Sequence, residues 1–168
     1  MQAAMKRALA IGALGCVFGL AQGSDASYYA QPLSCTDGPY GLRLPDSYET
    51  LRKIGELRDD RVLPGQISGN PGAEQRELTF AGLRLTILRK KLDPANYQVL
   101  SAELTRGSWK IGGPFRVGTL LPVKVGDVDT RQLRGRGIVE FVGENNDVVR
   151  VYRNGRRISW LTYLCHVE

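Results

Sequence analysis

Val148-Val149-Arg150-Val151-Tyr152-Arg153-Asn154-Gly155-Arg156-Arg157-Ile158-Ser159-Trp160-Leu161-Thr162-Tyr163-Leu164 is the stretch whose reading decides the fold. Its two arms alternate apolar and polar residues, the period of a half-buried strand, and Asn-Gly lies between them. Asn-Gly predicts a two-residue hairpin turn with positive φ at both central positions. Val149 and Val151 share a face with one alternate set of the second arm, either Ile158, Trp160, Thr162 and Leu164 or its complement. Upstream, Ile138 to Val142 alternates in the same way and is set off by Glu144-Asn145-Asn146-Asp147. The expectation is a three-stranded antiparallel meander over 138–164.

Working outward, strand signals continue toward the N-terminus. Leu78 and Phe80 form one alternating set and Leu83, Leu85 and Ile87 another, with a slip at Ala81-Gly82 that predicts a turn or a bulge. Tyr97, Val99 and Leu100 open a strand that runs to about Leu104. Arg106-Gly107-Ser108 turns the chain toward a segment at Trp109-Lys110-Ile111, and further strands are expected at Phe115–Val117 and Leu120–Val125. Tyr40 to Leu44 reads as a short strand. Pro45-Asp46-Ser47 supplies helix-start chemistry, with Asp46 or Ser47 as N-cap and Glu49 in the first turn. Leu51 and Ile54 give that helix an apolar stripe, and Gly55 reads as its stop. Residues 64–75, rich in glycine and proline, are expected to be a loop. Gly38-Pro39-Tyr40 and Gly113-Pro114-Phe115 echo each other, each reaching a later Leu-Pro pair. The fold class is therefore mainly β (α+β): a single antiparallel sheet domain, one short helix, and a C-terminal three-stranded meander.

The first 26 residues have a different character. Lys6-Arg7 leads into an apolar run from Ala8 to Leu20 and then into Ala21-Gln22-Gly23-Ser24-Asp25-Ala26. A positive start, a short apolar run and a small-residue cleavage zone form a secretory signal peptide. The run is too short to span a bilayer, so no stable membrane insertion is expected. Cleavage is expected after Gly23 or Ala26, leaving one domain over 27–168 in the periplasm. Cys16 lies inside the apolar run with Ala13-Leu14-Gly15 before it, which places the leucine one position too late for an acylation signal. It is expected to leave with the leader.

Cys35 and Cys165 then remain, and an even pair in an exported chain predicts a disulfide. Closing a loop of about 130 residues is worth roughly 4–5 kcal/mol in the chain-entropy account. The whole chain carries +6. Losing Lys6 and Arg7 takes this to +4, or to +5 if Asp25 is lost as well. The basic residues are dispersed over Arg89-Lys90-Lys91, Arg131, Arg134 and Arg136, and Arg150, Arg153, Arg156 and Arg157. Neither the amount nor the spread of charge suits a nucleic-acid binder. Solvated strand faces are the plain reading. A cationic surface for an acidic protein, an anionic glycan or lipid headgroups is the sharper one.

The chain offers little material for catalysis. His166, the one histidine, follows Cys165, and neighbours on a strand point to opposite faces, so the two cannot work as base and nucleophile. No spacing suits zinc, no cofactor fingerprint is present, and Asp59-Asp60 sits in a polar context that reads as solvated surface. No enzyme, cofactor or metal is expected. Binding has better material in Gly107-Ser108-Trp109, where a hydroxyl stands beside a large aromatic at a turn. Tyr28-Tyr29 is a second aromatic candidate.

An exported β-rich domain closed by a disulfide and carrying a Gly107-Ser108-Trp109 turn resembles the periplasmic immunity proteins of type VI secretion amidase effectors. The resemblance implies a partner, a secreted toxin that cleaves peptidoglycan peptides. It also implies a mechanism in which a loop serine, Ser108 here, enters the cleft that holds the toxin's catalytic groups. The same features resemble periplasmic lysozyme inhibitors, although the loop signature of that group is missing. A housekeeping envelope protein that binds anionic glycan or lipid through arginine-rich strand faces is the alternative of another class.

Overall fold

A computed structural model describes residues 26–36, 38–64, 72–143 and 145–166. Residues 1–25 of the expected leader, including Cys16 and the cut after Gly23, and most of the expected 64–75 loop lie outside the described residues, whereas the alternative cut after Ala26 falls within a described strand. The elements in chain order are β1 (Ala26–Tyr29), α1 (Tyr48–Leu51), β2 (Leu57–Val62), β3 (Ala73–Phe80), β4 (Leu83–Lys90), β5 (Asp93–Leu104), β6 (Lys124–Val125), β7 (Val128–Asp129), β8 (Arg136–Val142), β9 (Val148–Asn154) and β10 (Arg157–Leu164). A single 3-10 turn spans Thr130–Gln132.

Eight of these strands form one sheet in the order β1-β8-β9-β10-β5-β4-β3-β2, and β6 and β7 pair by themselves. The fold is mainly β, as the alternation predicts. Every ladder of the large sheet is antiparallel except that of β1, which lies parallel to β8 with Tyr28 opposite Phe141. No strand is expected at 26–29 from the sequence, because nothing in four residues indicates a partner more than a hundred positions away.

The meander forms where the alternation places it, with two refinements. The turn residues are Gly155-Arg156, since Asn154 is still paired with Arg157. Only Gly155 has positive φ there, so a glycine-first turn replaces the expected pair of positive-φ residues. A bulge between Ile158 and Trp160 then shifts the phase of β10. Ile158, Leu161 and Tyr163 face the core, whereas Trp160, Thr162 and Leu164 face outward. The inward set is therefore neither simple alternate series, because one extra residue sits in the strand.

Strand β3 begins at Ala73, well before the alternating pair Leu78 and Phe80, and β5 begins at Asp93 rather than Tyr97. Ala81-Gly82 is a turn between β3 and β4. Strand β2 gave no alternation to read: four of its six residues are charged, and it pairs with β3 at the sheet edge.

The helix is shorter than expected. It is capped by Ser47, whose side chain accepts from the Thr50 N–H, and reaches only Leu51 before Arg52 caps it. Gly55 is not a left-handed stop. A Cβ there would come within 2.7 Å of the Trp109 ring, so glycine is needed for room. The strands expected at Tyr40–Leu44, Trp109–Ile111, Phe115–Val117 and over most of Leu120–Val125 are irregular chain instead. Pro114 and Pro122 have no N–H for a ladder, and Gly118 takes positive φ, so these segments cannot extend as strands. They keep isolated backbone bonds, such as Arg43 N–H to the Ile111 carbonyl at 2.7 Å.

The two Gly-Pro-aromatic echoes pack against each other. Tyr40 and Phe115 have ring centroids 5.9 Å apart. Gly113, at φ +58, has the Pro39 carbonyl oxygen 2.9 Å from where a Cβ would stand. The inner face of the sheet is thus covered by the irregular segments and α1, and the core holds Phe141, Val149, Val151, Leu161, Tyr163, Leu85 and Phe80. The outer face carries no covering element among the described residues.

Candidate functional site

Cys35 and Cys165 are bonded, with Cα atoms 5.4 Å apart. Asp147, almost fully buried, clamps the chain on both sides of this bridge. One of its carboxylate oxygens accepts the Cys35 N–H at 2.6 Å and the other the His166 N–H at 2.7 Å. A cleft of about 550 Å3 opens beside the bridge, lined in part by Leu42, Tyr97, Asp147 and His166. Two of its polar groups are already used within the fold: Asp147 as above, and the Tyr97 hydroxyl as donor to the Pro45 carbonyl. Burial first, and then the charge of Asp46, push the Tyr97 hydroxyl up to about 12. The Cys165 sulfur is in a disulfide, so beside His166 it offers no thiolate. Among the described residues no group of three His, Cys, Asp or Glu converges as a metal centre would.

The turn after β5 divides the sequence candidates. Gly107 and Ser108 are exposed, as are Arg106 and Lys110 on either side. Trp109 turns inward and is half-buried. Its indole N–H donates to the Ala81 carbonyl at 2.9 Å, and its ring meets Phe80 edge-on at 5.7 Å. Trp109 is therefore the anchor of the turn and Ser108 its tip. The other aromatic candidate divides in the same way, with Tyr28 packed on Phe141 at 6.3 Å and Tyr29 59% exposed.

Asp59 and Asp60, read together as solvated surface, have different fates. Asp59 is exposed. Asp60 is drawn under the sheet beside α1, where it accepts from the Tyr48 hydroxyl at 2.6 Å and from Arg76 at 2.8 and 2.9 Å, with Arg52 at 3.0 Å. Burial raises its pKa, but the Tyr48 and Arg76 hydrogen bonds and the two guanidinium charges outweigh it. The carboxyl is held below its ordinary value. Arg89 stacks over the Tyr48 ring at 4.4 Å and pairs with Glu74. Sequence reading missed this cluster, because its members come from α1, β2, β3 and β4.

The arginines that suggested a cationic surface are largely engaged by partners within the chain, some of them at the surface. Arg150 pairs with Glu140 at 2.6 Å and Arg131 with Asp129 at 2.6 Å. Arg153 is buried and donates to the carbonyls of Arg134, Gly135 and Gly155. Arg156 donates to the Leu121 carbonyl and Arg157 to that of Gly118. Guanidinium groups so occupied leave a weaker field for an anionic polymer than their number suggests. Comparison with known proteins gives no match to any protein-family model, any curated protein or any solved structure.

Proposed function

We propose that the protein is an exported inhibitor that binds a peptidoglycan-degrading toxin in the periplasm and occludes its active-site cleft. The observation that carries this reading is the turn 105–109. Its tip, Ser108, is small, polar and exposed, whereas its base is fixed by Trp109 on Phe80 and Ala81. A preorganised tip loses little conformational freedom on binding, which favours insertion into a narrow cleft. In this mechanism the Ser108 hydroxyl bonds polar groups in the cleft, and Arg106 and Lys110 meet its rim. Trp109 acts by holding the tip in place. The disulfide suits an oxidising compartment.

The test is a lysis-rescue experiment. Products of the adjoining genes are directed to the periplasm with and without this chain. The expected result is that one of them lyses cells and that this chain restores growth. Ser108→Tyr should abolish rescue while leaving thermal unfolding unchanged, since an exposed turn tolerates the side chain and a narrow cleft does not. If no adjoining product is toxic, or if Ser108→Tyr rescues as well as the wild type, the occlusion reading fails.

A further inference from the structure

The outer face of the sheet has an order that toxin binding does not explain. Ladder registers align its side chains in rows across the strands. One row reads Glu140 on β8, Arg150 on β9, Thr162 on β10, Glu103 on β5 and Arg84 on β4. Its signs run minus, plus, neutral, minus, plus, so the row is antisymmetric about Thr162. Within one chain, Glu140 pairs with Arg150 at 2.6 Å and Glu103 with Arg84 at 3.5 Å.

On either side of Thr162 along β10 stand Trp160, 38% exposed, and Leu164, 36% exposed. Trp160 stacks on Tyr152 with centroids 4.3 Å apart, and its indole N–H donates to the Thr162 hydroxyl at 3.2 Å. Val142 and Val148 continue the Leu164 row as an apolar strip.

The geometry points to a second copy of this chain as the occupant of this face, forming a two-fold homodimer with its axis along β10 through Thr162. A two-fold axis parallel to a strand sends each row onto itself with its order reversed. Arg150 then faces the partner copy's Glu103, Glu140 faces its Arg84, and both reciprocal pairs form as an isologous interface requires. With strands about 4.8 Å apart, the inner pairs lie about 5 Å from the axis and the outer pairs about 10 Å. Trp160 and Leu164 meet their own symmetry mates on the axis, where aromatic and aliphatic contact is most fully desolvated. An axis at right angles to the strands would instead set Glu140 against Glu140 and Arg150 against Arg150, so the charge row selects one of the two arrangements. An axis along the strands preserves their direction, so both Ser108 tips would emerge at the same end of the dimer.

Sedimentation velocity on protein expressed as the full chain under oxidising conditions tests this. The wild type is expected to sediment as a dimer. Arg150→Glu sets carboxylates face to face, and Glu103→Arg sets guanidinium groups face to face. Each variant alone should self-associate at least about a hundredfold more weakly, because like charges juxtaposed at an interface are strongly unfavourable. Mixed one to one, the two variants should form a heterodimer, since both facing pairs become attractive again. Thermal unfolding of each variant, with a modest loss expected because positions 150 and 103 also give up their ion pairs with Glu140 and Arg84, separates lost association from lost folding. A wild type that stays monomeric up to about 1 mM overturns the inference, as do single variants that dimerise normally or a mixture that does not associate. Ser108 lies outside this interface, so failure here leaves the toxin-binding reading standing, and failure of rescue leaves the dimer standing.

Discussion

Under β8, β9 and β10 the sheet's inner face is closed by apolar side chains and backbone contact, whereas under β2, β3 and β4 much of the closure is made with charge. On the first side Phe115, fully buried, stacks on Phe141 at 5.9 Å, and the Tyr163 hydroxyl donates to the Gly112 carbonyl. Arg153, buried there, donates from both terminal guanidinium nitrogens to backbone carbonyls, while its Nε has no hydrogen-bond partner among the described residues. On the second side Tyr48 lies among Arg52, Arg76 and Arg89, with Asp60 and Glu74 balancing them. Apolar closure depends on shape and is indifferent to pH. Charged closure depends on protonation, so the two regions should respond to different perturbations.

The largest expected effect comes from releasing the bridge that ties the apolar side together. Replacing Cys35 and Cys165 by Ala opens a loop with a sequence separation of 130. It should cost about 5 kcal/mol in the chain-entropy account, read by urea unfolding against the oxidised wild type. A cost below about 1 kcal/mol would mean that strand packing alone holds the ends.

Phe115→Ala comes next, at about 3–5 kcal/mol for a large buried side chain removed from a packed site. The loss should be the same at neutral and at acid pH, because no titrating group is involved. Trp109→Ala, on the charged side, should cost less, about 2–3 kcal/mol, since the ring is only half-buried and part of its surface is already wet. Equal losses for the two would show that the irregular cover over β8–β10 packs no better than the Trp109 anchor.

The smallest effect is the one that depends on pH. Asp60→Asn should cost about 1.5 kcal/mol at neutral pH, from weakened hydrogen bonds to charged partners. Asp60 is held below its ordinary 3.8 in the fold, so its contribution is complete above that value and is lost as pH falls through the folded pKa. Wild-type stability should therefore decline below about pH 4, and the Asn variant should decline less steeply over the same range. Parallel acid limbs for the two proteins would remove Asp60 from the charged closure.

Much of the architecture is readable from local pattern. The meander, the β3–β4 hairpin and the disulfide follow from alternation, turn residues and the count of cysteines. Each rests on neighbours in sequence or on a covalent rule. The candidate site is only half readable. Gly107-Ser108-Trp109 is visible as a turn, but whether Trp109 faces out or in depends on Phe80, Ala81 and Gly55, which lie 28 or more positions earlier. Strand β2 escapes detection because its pairing is strengthened by ion pairs such as Arg61 with Glu77, and charged residues carry no strand signature of their own.

By itself, the sequence determined the mainly β character, the C-terminal meander and the Cys35–Cys165 pairing, because alternation and thiol chemistry act through local geometry or covalent bonds. Only the tertiary structure decided that β1 joins the sheet in parallel and that Asp60 is drawn into a half-buried ion-pair cluster while Asp59 stays exposed. It also decided that Trp109 anchors the turn and that the charges of the outer face fall into an antisymmetric row. Each of these depends on which strands lie side by side and in what register. Side-chain surroundings are set by that alignment of distant segments, to which a single stretch of chain gives no guide.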